Sequence, residues 1–270
     1  LKPFEFLEFG KIAIPLIIIC IISVLIVIKL MIKKIKIPTR MAYLLSIGST
    51  VCGTTAIMAT APVIKANKSE ISYAVANITL FGILSMLLYP YFANFYFDGN
   101  SLFAGLFLGT AIHETSQVAA AGLIYDQQFN SPETLNIATV TKLTRNTFLI
   151  IMIPLFALLY NRGITNEKKY SILNIFPYFV LGFIGMIVLR NTGDEIFSTN
   201  MNYNWIEFVD FIKASSKIFL TMAMAAIGLS TNIKDLKDMG YKPFVVGFVA
   251  MITVGIVSIL TIEIYLNLFI

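Results

Sequence analysis

A segment of small and polar residues occurs twice in this chain, each time in the middle of a long apolar stretch. Residues 48–63 read GSTVCGTTAIMATAPV and residues 109–124 read GTAIHETSQVAAAGLI, so glycine, threonine and serine fall at matching places. Lipid tolerates an interrupted helix only where protein or a water-filled cavity covers the freed backbone groups. The repeat therefore predicts two broken helices that lie inside a membrane-embedded fold.

Composition indicates an all-α integral membrane protein. Hydrophobic residues make up 57% of the 270 positions, charged residues make up 13%, and the mean hydropathy is +0.82. Several windows reach the ~20 apolar residues that a helix needs to cross a bilayer. The net charge of +5 is carried by lysines and arginines in short loops between apolar segments, which is typical of topology determinants and does not indicate nucleic-acid binding.

Eight membrane-embedded segments follow from the apolar pattern, and short connectors join them into one domain over residues 1–270. The segments are 10–32, 41–64, 70–97, 101–125, 135–160, 171–190, 213–232 and 241–269. We expect about six full spans, with 41–64 and 101–125 as re-entrant or discontinuous helices. The sequence alone leaves open the alternative that these two segments also span.

The basic residues favour re-entrant segments. The densest basic cluster lies between residues 29 and 40, and such clusters mark the cytoplasmic side of a membrane. Lys65 and Lys68 fall on that side only if 41–64 enters and returns. Segment 101–125 then enters from the opposite side, which gives an inverted repeat, a common plan of secondary transporters. We expect a multi-pass protein of the cell's inner (plasma) membrane.

Hydroxyl residues at the two breaks are candidates for binding an anion. The pairs Thr54-Thr55 and Thr115-Ser116 follow the breaks at matching places. If a half-helix begins there, its free N–H groups and positive dipole end suit an oxyanion, together with the hydroxyls. Close packing of small residues between helices is the other interpretation.

His113 and Glu114 are the one histidine of the chain and an acid in the middle of an apolar segment. An ionisable residue inside a membrane indicates function by default, because burying its charge is costly. Glu114 is therefore a candidate proton carrier or cation ligand, and a structural ion pair is the alternative. A single histidine excludes a multi-histidine metal site, and we expect no metal and no cofactor beyond a coupling H⁺ or Na⁺.

Lys142 and Arg145 lie three residues apart in the next predicted helix and therefore share a face. Two positive charges inside a membrane helix need an anion, which is either Glu114 or a substrate that the arginine could bind with two hydrogen bonds. The alternative is that the two side chains reach the membrane surface.

The chain resembles the YeiH family of sulfate exporters, over essentially all its residues, at GSTVCGTTAIMATAPVIKA, GTAIHETSQVAAAG and TVTKLTRNTFLIIMIP. The resemblance implies export of small inorganic or sulfonate-derived anions. The positions that it carries over are Cys52, Gly53, Thr54, His113, Glu114, Gln117, Lys142 and Arg145. It also implies further hydrophobic segments before Leu1. A broader similarity to bile-acid/sodium symporter-like folds would imply crossing broken helices in place of re-entrant ones.

The leading hypothesis is a secondary transporter in which a small anion, sulfate first, lies between the two breaks, with Lys142 and Arg145 as its counter-charges. A cation-coupled transporter of organic anions, or a cation antiporter using Glu114, is the second hypothesis. An intramembrane enzyme using Cys52 or the His113–Glu114 pair is disfavoured, because no third group orients these residues in a recognisable motif and a lone cysteine is usually inert. The expected partners are the anion and the lipid bilayer, and a homo-oligomer is compatible with the sequence.

Overall fold

The computed structural model describes residues 3–164, 179–197, 203–230 and 240–269, and every regular element in these ranges is a helix. In chain order the helices are α1 (Pro3–Ile35), α2 (Thr39–Thr50), α3 (Thr54–Thr60), α4 (Lys68–Tyr96), α5 (Ser101–Ala111), α6 (Thr115–Phe129), α7 (Pro132–Thr147), α8 (Leu149–Ile164), α9 (Phe179–Phe197), α10 (Tyr203–Ser230) and α11 (Lys242–Phe269).

Four helical stretches among the described residues are long and apolar enough to cross a membrane. They are Ile12–Ile35, Lys68–Tyr96, Pro132–Tyr160 and Lys242–Tyr265, with mean hydropathies from 1.6 to 3.0. Each matches one of the predicted spans, which bears out the all-α membrane class. The predicted spans 171–190 and 213–232 lie partly outside the described residues, at 171–178 and 231–232.

The third stretch is interrupted where the sequence predicts one continuous helix over 135–160. The helices α7 and α8 meet at Phe148, whose N–H donates to the carbonyl of Arg145 at 3.1 Å, a tighter i to i−3 bond. The chain nevertheless keeps its direction, because Met152 bonds back to Phe148 in the normal i−4 pattern. The two helices therefore act as one rod with a local irregularity beside Arg145.

The helices α2 and α3 form a helical hairpin. A β-carbon placed on Gly48 would lie only 2.9 Å from Cδ1 of Ile57, whereas nine residues of continuous helix would separate the two positions by about 13.5 Å. The reversal occurs at Gly53, with φ 64° and ψ −122°, a conformation open to glycine because it lacks a β-carbon. Segment 41–64 is therefore discontinuous, and its chain turns back.

A second hairpin joins α5 to α6. Positions for a β-carbon on Gly105 and Gly122 lie 2.6 Å from Cβ of Ile137 and 2.9 Å from Cα of Leu135. Both arms thus stand beside the same turn of α7, so the chain returns to the level from which it came. The predicted segment 101–125 is likewise discontinuous.

The two hairpins approach from opposite ends of the α7–α8 rod. The first begins near Arg40, whose Nε donates to the hydroxyl of Tyr160 at the far end of α8 (3.0 Å). The second begins near Ser101, whose carbonyl accepts from the hydroxyl of Thr134 at the start of α7 (3.4 Å). Their tips consequently meet near the middle of the rod, at Arg145.

Candidate functional site

Each hairpin tip is a linker of three residues between two half-helices. Residues 51–53 connect α2 to α3, and residues 112–114 connect α5 to α6. A helix that ends leaves carbonyl groups without partners, and a helix that begins leaves free N–H groups. The tips therefore bring two partly negative and two partly positive helix ends to one place in the protein interior.

Lys142 binds the carbonyl groups at both tips. Its Nζ donates to the carbonyls of Val51 (2.9 Å), Ile112 (3.0 Å) and His113. The side chain is fully buried. An ammonium group has three N–H donors, and three carbonyl acceptors from two hairpins surround this one. A cation at helix C-terminal ends also interacts favourably with the dipoles.

Arg145 forms a second bridge of the same kind. On the first hairpin, Nε donates to Thr50 (2.8 Å) and Nη2 to Ser49 (2.6 Å). On the second hairpin, Nη1 donates to Thr110 (2.6 Å) and, more weakly, to Ile112 (3.4 Å). All four acceptors are main-chain carbonyls, and the guanidinium is fully buried. One side chain on α7 therefore holds the ends of both α2 and α5.

Glu114 has the opposite role at the positive end of α3. Its Oε1 accepts from the backbone N–H of Thr54, the first residue of that helix. The carboxylate also lies directly against Gly53, at the position that a β-carbon would occupy. A carboxylate at a helix N-terminus is stabilised by the free N–H groups there. Glu114 belongs to the second hairpin, so this bond is a third link between the tips.

Gly53→Ala should destabilise the protein because of both conformation and contact. A methyl group would meet the Glu114 carboxylate, and alanine rarely adopts positive φ, so we expect a loss of about 3 kcal/mol in unfolding free energy. Gly240→Ala is the matched control, since Gly240 has φ 70° but no atom of the described residues lies within 4 Å of a β-carbon there. Equal losses of thermal stability in the two variants would show that the Glu114 contact contributes nothing.

The hydroxyl residues at the tips differ in exposure. Thr54 is buried, at 5% exposed, whereas Thr55 and Ser116 are exposed. Thr115 is half-buried, and its Oγ1 accepts from Nδ2 of Asn146 at 3.1 Å. Two of the four predicted hydroxyls therefore face away from the protein interior, at the level where the helices break.

Three other predicted site residues have distinct surroundings. Cys52 is buried at the first tip, at 3% exposed. His113 is fully buried, and neither ring nitrogen has a hydrogen-bond partner among the described residues. Gln117 points away from the tips, since its Nε2 donates to the carbonyl of Thr79 (3.2 Å) and its Oε1 lies against Gly82 on α4. The structure thus places Gln117 at the α4–α6 contact.

Sequence reasoning missed the most numerous groups of the site, the carbonyls at the ends of α2 and α5. Asn146, which the sequence places in one polar stripe with Lys142 and Arg145, also belongs to the site, because its side chain donates to Thr115. Over the ranges given above, no group of three or more His, Cys, Asp or Glu side chains could hold a metal ion.

The helices, their apolar faces and the two buried hairpin tips define a multi-pass integral membrane protein of the all-α class. A family model described as "Conserved hypothetical protein 698" matches residues 1–247. The chain belongs to this family, whose members include proteins named UPF0324 membrane proteins.

Three relatives show how similar this chain is to other members of the family. The chain is 37% identical over 257 residues to a UPF0324 membrane protein of Fusobacterium nucleatum. The aligned region covers 93% of this chain and 74% of the relative. It is 34% identical over 255 residues to one of Streptococcus agalactiae (94% and 74%). It is 33% identical over 242 residues to one of Clostridium tetani (84% and 66%). No solved structure matches this chain.

Proposed function

We propose that this protein is a secondary-active transporter of a small inorganic or sulfonate-derived anion, with sulfate as the first candidate, in the inner membrane. One observation carries the proposal: two helical hairpins approach from opposite ends and bring their tips together around Lys142 and Arg145. Discontinuous helices that meet at the middle of the bilayer are the usual position of substrate sites in secondary transporters. This arrangement also agrees with the resemblance to the YeiH family of sulfate exporters.

The charges at the tips favour an anion. Lys142 and Arg145 carry two positive charges, and Glu114 offsets one of them. Because Lys142 and Arg145 are fully buried, the remaining positive charge is screened less than it would be in water. The hydroxyls of Thr55, Thr115 and Ser116 can donate to the oxygen atoms of a small oxyanion beside this charge.

The hairpins also support the proposed topology of about six full spans and two re-entrant segments. The unit α2–α3–α4 and the unit α5–α6–α7 each consist of a hairpin followed by a long helix, and they begin at opposite ends of the bundle. We propose that they form an inverted repeat within one transporter domain over 1–270. The basic residues between 29 and 40, with Lys65 and Lys68, then lie on the cytoplasmic side.

Coupling to a proton or a sodium ion is assigned to Glu114, with His113 beside it. We expect Glu114→Gln to remove the pH dependence of anion flux, because the amide keeps the shape of the side chain but cannot take up a proton. The measurement is flux against pH in proteoliposomes. Glu133→Gln, an exposed acid at the start of α7, is the control and should keep the wild-type profile. An unaltered profile in Glu114→Gln would remove this residue from the coupling.

The direct test of the proposed function is uptake of radiolabelled sulfate into proteoliposomes, with and without imposed proton and sodium gradients. Uptake that a gradient drives above the level of empty vesicles supports the proposal. If no gradient drives uptake of sulfate or of a small sulfonate, the assignment of an inorganic-anion transporter fails. We propose no enzyme activity and no cofactor, so the assay contains only protein, lipid, anion and the gradient ions.

A second candidate is a sodium- or proton-coupled transporter of organic anions, or a cation antiporter. The half-buried carboxylate of Glu114 favours it, because exposed hydroxyl oxygens of Thr55 and Ser116 flank the same tips and hard cations prefer oxygen ligands. Sodium flux without added sulfate would support this candidate over the first.

A further inference from the structure

We propose that Lys142 and Arg145 are positioning residues: they fasten the tips of both hairpins to α7 and do not themselves bind the transported anion. That the transported solute is an anion rests on the proposed function. The fastening itself concerns the hairpins and can be tested without transport.

The donors of Lys142 are fully used. Its three N–H groups match three carbonyl acceptors, one from residue 51 on the first tip and two from residues 112 and 113 on the second. None of its surface is exposed. An anion could reach the ammonium only by displacing at least one of these carbonyls. A residue that binds substrate directly keeps a donor directed at the open site, and Lys142 has none.

Arg145 is nearly as fully committed. A guanidinium has five N–H donors, and four of the directions point at the carbonyls of Ser49, Thr50, Thr110 and Ile112. Its planar guanidinium lies between the ends of α2 and α5, which approach it from opposite sides. The usual bidentate grip on an oxyanion needs two parallel donors, and only one N–H remains.

These bonds have a consequence for how the tips move. Both cations hold carbonyls from both hairpins at once, so the tips cannot separate without breaking bonds at each side chain. We therefore expect the two hairpins to move as one body with α7. The groups left for the anion are those that face outward, Thr55 and Ser116, with half-buried Thr115, while the cations supply the electrostatic field.

The experiment replaces Lys142 by methionine in a Cys20→Ala background. The chain has two cysteines, so Cys52, next to the carbonyl that Lys142 holds, becomes the only thiol. We expect the labelling rate of Cys52 by a membrane-permeant maleimide to rise by about tenfold or more, because loss of the bridge lets the tip open. We expect the maximal rate of anion flux to fall while its KM stays within about threefold of wild type.

Lys242→Met in the same background is the control, since Lys242 is exposed at the start of α11; it should change neither readout. Lys142→Gln keeps two N–H donors without the charge and should fall between wild type and Lys142→Met. If the methionine variant is not recovered folded, the glutamine variant carries both measurements. Continued protection of Cys52 overturns the inference, as does a KM raised about tenfold or more with the maximal rate retained. If wild-type protein transports no anion, the labelling result still decides whether the bridge exists.

Discussion

Arg145→Ala should lower anion flux by about a hundredfold and lower the thermal stability of the protein at the same time. The truncation removes four hydrogen bonds to main-chain carbonyls in a fully buried site. Side-chain hydrogen bonds between membrane helices contribute about 0.6 kcal/mol on average, and unsatisfied buried carbonyls cost more. We therefore expect a loss of about 2–4 kcal/mol in the free energy that holds the hairpin tips in place. A loss of about 3 kcal/mol corresponds to a hundredfold change in an equilibrium constant.

Flux in proteoliposomes and unfolding in detergent micelles measure the two effects. Arg190→Ala is the matched control: Arg190 forms a surface ion pair with Asp194 (2.9 Å), with both side chains 47% exposed, and such pairs contribute little. Arg145→Lys keeps the charge but has three donors in place of five, so it should be intermediate. Wild-type flux in Arg145→Ala would contradict any role for this residue at the tips.

Gly109→Ala should destabilise the protein strongly, because the added methyl group would meet the backbone of α7. A β-carbon at this position would lie 2.5 Å from Cβ of Thr141 and 2.6 Å from the carbonyl oxygen of Ala138. The second atom belongs to the backbone of α7 and cannot rotate away, so α5 must shift. Such overpacking typically costs about 1–3 kcal/mol, and we expect the upper end of that range. The shift also displaces Thr110, a carbonyl partner of Arg145.

Gly182→Ala provides the comparison, because Gly182 lies in α9 and the part of the chain that the structure describes places no atom within 4 Å of a β-carbon there. Alanine favours a helix over glycine by about 1 kcal/mol, so this variant should be slightly more stable. The measurement is the midpoint of thermal unfolding of both variants and wild type. A Gly109→Ala midpoint at or above that of wild type would mean that α5 and α7 are not in close contact.

The sequence predicted the positions of the helix breaks well, and the reason is physical. Glycine with small polar neighbours stands out inside an apolar segment, and the same pattern occurs in both copies. The first break falls at Gly53 and the second ends at Glu114, and the structure puts these two residues in contact. The long apolar segments were predicted equally well, because length and hydropathy alone identify a membrane span.

The bonding of Lys142 and Arg145 could not be read in the same way. Their partners are carbonyl groups, which nearly all residues possess, and a carbonyl becomes available only where a helix ends. The sequence therefore indicated two buried cations in need of negative charge but not that helix ends supply it. For Gln117 the sequence suggested a place in the site that the side chain does not take. The residue lies within the repeat, but its side chain contacts α4, because Gly82 leaves room for it. Substrate binding by Gln117 stays a prediction from sequence.

The hydrogen bond between Glu114 and the N–H of Thr54 joins two parts of the chain that are sixty residues apart. In the coupling proposed above, a proton or sodium ion bound to this carboxylate would weaken its hydrogen bond to α3, so ion binding would change the free energy of α3. Thermodynamic linkage makes that influence mutual. Under that proposal, an ion bound at Glu114 and a solute bound against α3 would change each other's dissociation constants by one common factor, whichever binds first.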